Sequence, residues 1–201
     1  MSSARERIGV LGGTFDPIHV GHLAAARSAI DCARLDRVVF VPTGRPPHRP
    51  PAAAAPDDRL EMTRLATAAD ERFAVSEIEL HRPGASFTSD TLGELRLLHP
   101  GAELFLILGW DAARQFGTWH EPEKVRELAT TVVVARPGSG SPQPTDVEAA
   151  GLDGGRVILC LERTPDVSAS GIRRDVANGR SIAGKVVPEV ERYIADHHLY
   201  S

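Results

Sequence analysis

Short apolar runs recur along the chain at regular intervals. They are Arg7–Leu11, Arg37–Val41, Phe73–Leu80, Glu103–Leu108, Thr130–Ala135 and Val157–Leu161. Each is the length of a strand, and most are rich in β-branched or aromatic residues, or nearly all apolar, as buried strands are. Between them lie segments of helix formers. A helix is expected to end near Arg34, and another to run from a cap at Asp57 or Asp58 to about Ala69. Others should reach Leu98 and Leu128, and the last runs from Pro188 to about His197. Residues 111–116 suit a helix or turn. Strands alternating with helices predict an α/β fold with a doubly wound, largely parallel sheet, and 201 residues suit a single domain spanning 1–201.

That pattern also sorts the polar segments. Gly12 to His22, Thr43 to Arg49, Gly109 to Asp111, Arg136 to Gly138 and Ser168 to Arg173 each follow a predicted strand. All should therefore meet at the carboxyl edge of one sheet, where ligands bind in such folds. The prolines of Pro46–Pro51 and Arg136–Pro142 mark exposed loops.

The first of these segments carries the strongest chemistry. Gly12-Gly13-Thr14-Phe15-Asp16-Pro17-Ile18-His19-Val20-Gly21-His22 stands between a strand and a helix-forming run. The two glycines permit a tight turn, and the first turn of the helix presents unpaired N–H groups to an anion. His19 and His22, three residues apart at that helix start, can donate to the same phosphate, and Gly21 leaves room for a base or sugar. Zinc is disfavoured: neither Cys32 nor Cys160 has a near neighbour and the other histidines lack ligand spacing.

Composition narrows the classes. With 42% hydrophobic and 25% charged residues and a net charge of −4, the chain is ordinary for a globular protein and does not suit a general nucleic-acid binder. The polar N-terminal residues and the short apolar run behind them suit neither a secretory signal nor a membrane span. The two cysteines form no disulfide framework, which points to a reducing cytoplasm. Gly179 to Lys185 has P-loop spacing, but Val186 stands where a hydroxyl is needed and the segment follows a helix. Gly9 to Gly13 lacks the glycine order of a hydride-transferring dinucleotide enzyme, and the chain is short for a class I aminoacyl-tRNA synthetase.

Gly-Thr-Phe-Asp-Pro followed by His-x-Gly-His resembles the signature of the nucleotidyltransferases that join a mononucleotide to a nucleoside triphosphate. The form Gly12 to His19 is similar to the bacterial nicotinate-nucleotide adenylyltransferase family. Further matches run from Ile8 to Tyr200. Pro46-Pro47-His48-Arg49 resembles that family's Pro-Pro-His-Lys loop, with arginine for lysine. Ser86 to Leu92 resembles its Ser-Tyr-Thr-x-Asp-Thr-Leu, with Phe87 for tyrosine, and Trp119-His120 its aromatic pair. Gly109-Trp110-Asp111 matches Gly-x-Asp. Ser168 to Arg173 resembles Ile-Ser-Ser-Thr-x-Ile-Arg, with Ala169 for a serine and Ser170 for a threonine. Val187, Pro188, Tyr193 and Leu199-Tyr200 resemble its tail and are read as structural.

The resemblance implies a Rossmann-like enzyme that transfers AMP from ATP to nicotinate mononucleotide. His19, His22 and Arg173 would be catalytic. ATP would meet Gly12, Gly13, Thr14, Phe15, Gly21, Gly109, Asp111, Ser168, Ser170 and Ile172 besides those three. Nicotinate mononucleotide would meet Asp16, Pro47, His48, Arg49, Thr88, Trp119, His120 and Arg136, with the Trp119 indole stacked on the pyridine ring. Mg²⁺ would ride on the phosphates, since no dedicated carboxylate cage for a metal is legible. No nucleic acid or membrane partner is expected, and a homo-oligomer is left open. The alternatives are adenylyl transfer to phosphopantetheine or nicotinamide mononucleotide, a cytidylyltransferase, and a silent nucleotide-binding sensor.

Overall fold

The computed structural model describes residues 5–46, 51–135, 143–152, 156–161 and 164–201. Six strands form one sheet: β1 (Arg7–Gly13), β2 (Arg37–Pro42), β3 (Phe73–Val75), β4 (Glu103–Gly109), β5 (Ala129–Val134) and β6 (Val157–Cys160). Their order is β3-β2-β1-β4-β5-β6 and every neighbouring pair is parallel, with Val10 opposite both Val39 and Leu106. The α/β, doubly wound fold expected from the alternation is the fold observed.

Both faces of the sheet are apolar, which explains why the strands read as unbroken hydrophobic runs. Side chains alternate between two cores. Leu11, Val38, Phe40, Phe105, Ile107, Val132 and Val134 face one core, closed by α1 (Val20–Ala33), α2 (Pro56–Thr67), α8 (Ala169–Ala177) and α9 (Pro188–Asp196). Ile8, Val10, Val39, Val41, Leu104, Leu106, Leu108 and Val133 face the other, covered by α4 (Thr88–Leu98), α5 (Trp110–Ala113), α6 (Pro122–Leu128) and α7 (Pro144–Ala149). Because β1 pairs with both β2 and β4, the chain turns toward opposite sides of the sheet from this strand. The crevice beyond its carboxyl end is where such sheets bind ligands.

Several boundaries differ from expectation. The strand expected over Phe73–Leu80 ends at Val75; the chain then turns into a single helical turn, α3 (Ile78–His81), that buries Glu79. Helix α2 begins with Pro56 at its first position behind Ala55. Asp57 and Asp58 do not cap it but sit in its first turn, where carboxylates oppose the helix dipole. Helix α7 was not anticipated, being short and proline-led, with Asp146 accepting from the Gln143 N–H at 2.8 Å. Most of the Arg136–Pro142 loop's expected role, and that of Pro47–Arg49, falls outside the described residues. Among those described, no helix is long and apolar enough to cross a membrane.

The cysteines require a correction. Cys32, in the last turn of α1, and Cys160, at the end of β6, are joined in a disulfide with Cα atoms 5.9 Å apart and a sequence separation of 128. Packing of α1 across β6 brings them together, so the reducing compartment inferred from unpaired thiols no longer follows from them. The linkage closes a long loop. Reduction should lower unfolding free energy by roughly 2–4 kcal/mol, read from urea midpoints with and without dithiothreitol. Two titratable thiols in the denatured, unreduced protein would refute the pairing.

Candidate active site

The turn after β1 is shaped by steric necessity. A Cβ on Gly13 would stand 2.7 Å from the Phe15 ring, and Phe15 itself adopts a left-handed φ of 49°. Its side chain turns into the core, edge-on to the His22 ring at 5.1 Å. Phe15 therefore offers a ligand its backbone only.

His19 stands at the N-cap of α1 and His22 at the third position. Their rings stack with centroids 3.7 Å apart. The His19 backbone N–H donates to His22 Nδ1 at 3.2 Å. A nitrogen that accepts carries no proton, so this bond places the hydrogen of a neutral His22 ring on Nε2. Gly21 relieves crowding here, since a Cβ would lie 3.0 Å from His19 Nδ1 and 3.4 Å from the Pro165 carbonyl oxygen. The second contact shows that the approach to α8 lies beside the start of α1.

Helix α8 presents its own N-terminus. Ser168 caps it, accepting from the Gly171 N–H at 3.2 Å, and lies 3.5 Å from the Ser170 hydroxyl. Both serines are exposed, whereas Ile172 is 1% exposed and packs in the core, so its side chain is not available to a ligand. Arg173 reaches back to the first turn, donating from Nη1 to the Asp16 carbonyl oxygen at 2.6 Å. Two helix N-termini, two histidines and an arginine thus border one crevice, an arrangement suited to a polyanion.

Asp16 sits at the base of that crevice, 5% exposed. Its Oδ2 accepts from the Ala53 N–H at 2.7 Å; its Oδ1 accepts from the Ala54 N–H at 3.0 Å and from the Tyr200 hydroxyl at 2.8 Å. Arg173 Nη1 lies 3.6 Å from Oδ2. Beside it Arg59, 2% exposed, donates to the Thr14 carbonyl at 2.7 Å, while its Nε is buried with no partner among the described residues. Burial pulls the Arg59 guanidinium below its usual value, opposed by Asp16 and Tyr200. Burial, followed by the bond to Asp16, raises the Tyr200 phenol, which stays a donor.

Sequence reasoning assigned Asp16 to the pyridine nucleotide and left Arg59 and the Tyr200 phenol out. The signal for Arg59 was present, because it falls on the buried stripe of α2 with Met62, Thr63 and Ala66. Tyr200 had no such signal; its partner is 184 residues away.

Residues expected at the pyridine ring gather on the other side of β1. Thr88 opens α4, the Phe87 and His120 rings lie 4.1 Å apart, and Trp119 is half-buried against Phe116 at 5.5 Å. Gly109 ends β4, and the exposed Asp111 carboxylate bonds Arg114 at 2.7 Å, an exposed pair of little energetic weight. Gly12 is exposed at the end of β1. Pro47, His48, Arg49 and Arg136 lie outside the described residues. The P-loop-like segment follows α8, and its Lys185 is paired with Asp175.

Known proteins show the same combination of sheet and turn. The cytidylyltransferase-like family model matches residues 10–175, most of the chain, so the protein is a nucleotidyltransferase-type α/β protein of that class. Relatives extend over the whole length. A probable nicotinate-nucleotide adenylyltransferase of Thermus thermophilus is 49% identical over 96% of this chain and 99% of its own. One from Pelobacter propionicus is 40% identical over 97% and 98%. The chain belongs to the nicotinate-nucleotide adenylyltransferase family. Its fold also matches the Plasmodium falciparum nicotinic acid mononucleotide adenylyltransferase solved in complex with NaAD, with a TM-score of 0.80, 18% identity and 98% of both chains covered.

Glu79 links the two loops beside Thr88. A Cβ on Gly44 would overlap the Glu79 carbonyl oxygen, the Arg45 N–H donates to Ser86 Oγ at 3.1 Å, and Thr91 Oγ1 donates to the Glu79 carboxylate at 2.7 Å. Burial raises the Glu79 carboxyl above its usual value, with the Thr91 bond opposing. A raised folded-state pKa means the folded protein holds this proton more tightly than the unfolded chain. The stability that protonated Glu79 contributes is thus complete at low pH and is lost as pH rises through the raised value. Glu79→Gln should flatten this fall in urea-melt stability between pH 4 and pH 8; an unchanged slope would refute the assignment.

Proposed function

We propose that the protein transfers the AMP moiety of ATP to nicotinate mononucleotide, releasing pyrophosphate and forming nicotinate adenine dinucleotide in NAD biosynthesis. The observation that carries this reading is whole-length identity of 40–49% to proteins named for the activity, on a chain whose two facing helix N-termini can hold a triphosphate.

The 5′-phosphate of nicotinate mononucleotide attacks the α-phosphorus of ATP. A P–O bond forms on one side while the bond to the β-phosphate oxygen breaks on the other. The nucleophile is already anionic, so no general base or covalent intermediate is required, and the protein supplies positioning and charge stabilisation. His22 donates from Nε2 to the reacting phosphates, and His19 lies stacked beside it. Ser168, Ser170, the amides opening α8 and Arg173 take the β- and γ-phosphates. Gly12, Gly13, Thr14, Phe15, Gly21 and Ile172 contribute backbone and space, with Gly109 and Asp111 at the ribose. Thr88, Trp119 and His120 receive the pyridine carboxylate and ring, joined by Pro47, His48, Arg49 and Arg136.

No group of three or more His, Cys, Asp or Glu side chains suited to a metal gathers among the described residues. Mg²⁺ would ride on the ATP phosphates and neutralise part of their charge. The reaction belongs in the cytoplasm, where ATP is held.

The direct test supplies ATP and Mg²⁺ with nicotinate mononucleotide, nicotinamide mononucleotide or phosphopantetheine separately and measures pyrophosphate. Release is expected mainly with the nicotinate form. Release only with phosphopantetheine would overturn the acceptor, and none with any acceptor would favour a nucleotide sensor. His22→Ala should lower kcat by roughly a hundredfold or more, because a donor to the transition state is removed. An unchanged kcat would overturn the role given to His22.

A further inference from the structure

The Asp16 carboxylate is held by more groups than a ligand-facing carboxylate needs. Two amides from the chain leading into α2, the phenol beyond α9 and the guanidinium of α8 converge on it. The Ala53 and Ala54 amides lie at the root of the loop that begins at Thr43 and leads from β2. Asp16 therefore ties that loop, α8 and the β1–α1 turn to a single charge.

Tyr200 is the neutral side chain of this set, beside the charged Arg173. Arg173 uses Nη1 on the Asp16 carbonyl, and any further pull from the carboxylate draws it from the crevice. A phenol that satisfies Oδ1 draws no charge from Arg173, so it holds Asp16 in place without competing for the guanidinium. The backbone is shaped to deliver it. His198 and Tyr200 both take left-handed φ values, 51° and 66°, and the Leu199 N–H bonds the Ile194 carbonyl at 3.0 Å, so the segment folds back over α9. Leu199 and Tyr200 pack against the core as they do so.

We propose that Tyr200 is a positioning residue of the transfer reaction, acting through its hydroxyl on Asp16 to fix the root of the Thr43–Ala54 loop and the setting of Arg173. The activity arm of this inference rests on the functional reading above; the structural arm does not.

Tyr200→Phe keeps the ring and removes the bond. It should lower kcat/KM by about tenfold, the scale of one hydrogen bond to a charged group. Asp16→Asn and the double variant complete a cycle. If Tyr200 works through Asp16, removing its hydroxyl should cost little more once Asp16 is gone. Independent, multiplying effects would overturn the proposal, as would a Tyr200→Phe rate within twofold of the unaltered protein.

Hydrogen exchange supplies the arm that needs no catalysis and no second variant. In Tyr200→Phe the Ala53 and Ala54 amides should exchange about tenfold faster, with the amides of β1 and β4 unchanged. Unchanged exchange at Ala53 and Ala54, or acceleration across the whole sheet, would overturn the positioning role. Should the unaltered protein transfer nothing to any acceptor, the functional reading fails alone and exchange still decides the role of Tyr200.

Discussion

A carboxylate taken out of water must be met by donors or it destabilises the fold, and Asp16 is the carboxylate on which this structure converges. Its partners come from the turn into α2, from α8 and from the segment beyond α9, so satisfying one charge sets the relation of three otherwise separate elements. Arg59 completes the arrangement from below. It is a buried cation whose bond to Thr14 steadies the same turn and whose charge lies near Asp16. The polar network is thus structural at its base and chemical at its rim, where Arg173 and the two histidines border the crevice.

That rim draws its positive character from geometry more than from net charge. The chain as a whole carries −4, yet the starts of α1 and α8 meet where β1 ends. Each start carries the positive end of a helix dipole, although the first amide of α1, that of Val20, is taken by the Lys185 carbonyl at 3.0 Å. The stacked histidines add a directed donor, since the His19 N–H holds the His22 tautomer. Such an arrangement is chemically suited to an anion.

The fold was legible because the four central strands are buried on both faces. Such strands read as continuous apolar runs, and the helices between them read as periodic segments, so the doubly wound sheet followed from local pattern alone. Failures came where local pattern carries little. Residues 76–80 read as strand because the moderate alternation of Phe73–Leu80 runs through them, whereas β3 pairs only with β2 and the chain leaves it after Val75. Helix α7 was too short for its periodicity to register.

By itself, the sequence determined the alternation of strands and helices and the glycine-rich turn of Gly12 to His22 between β1 and α1. It also placed the segments that follow β1, β2 and β4 at one edge of the sheet, because period, length and glycine placement are local properties. Only the tertiary structure decided that Cys32 meets Cys160, that Arg59 is buried, and that Asp16 is held by Tyr200. These pairings join residues up to 184 positions apart. Contacts of that range depend on how helices settle on the sheet, and no periodicity along the chain encodes them.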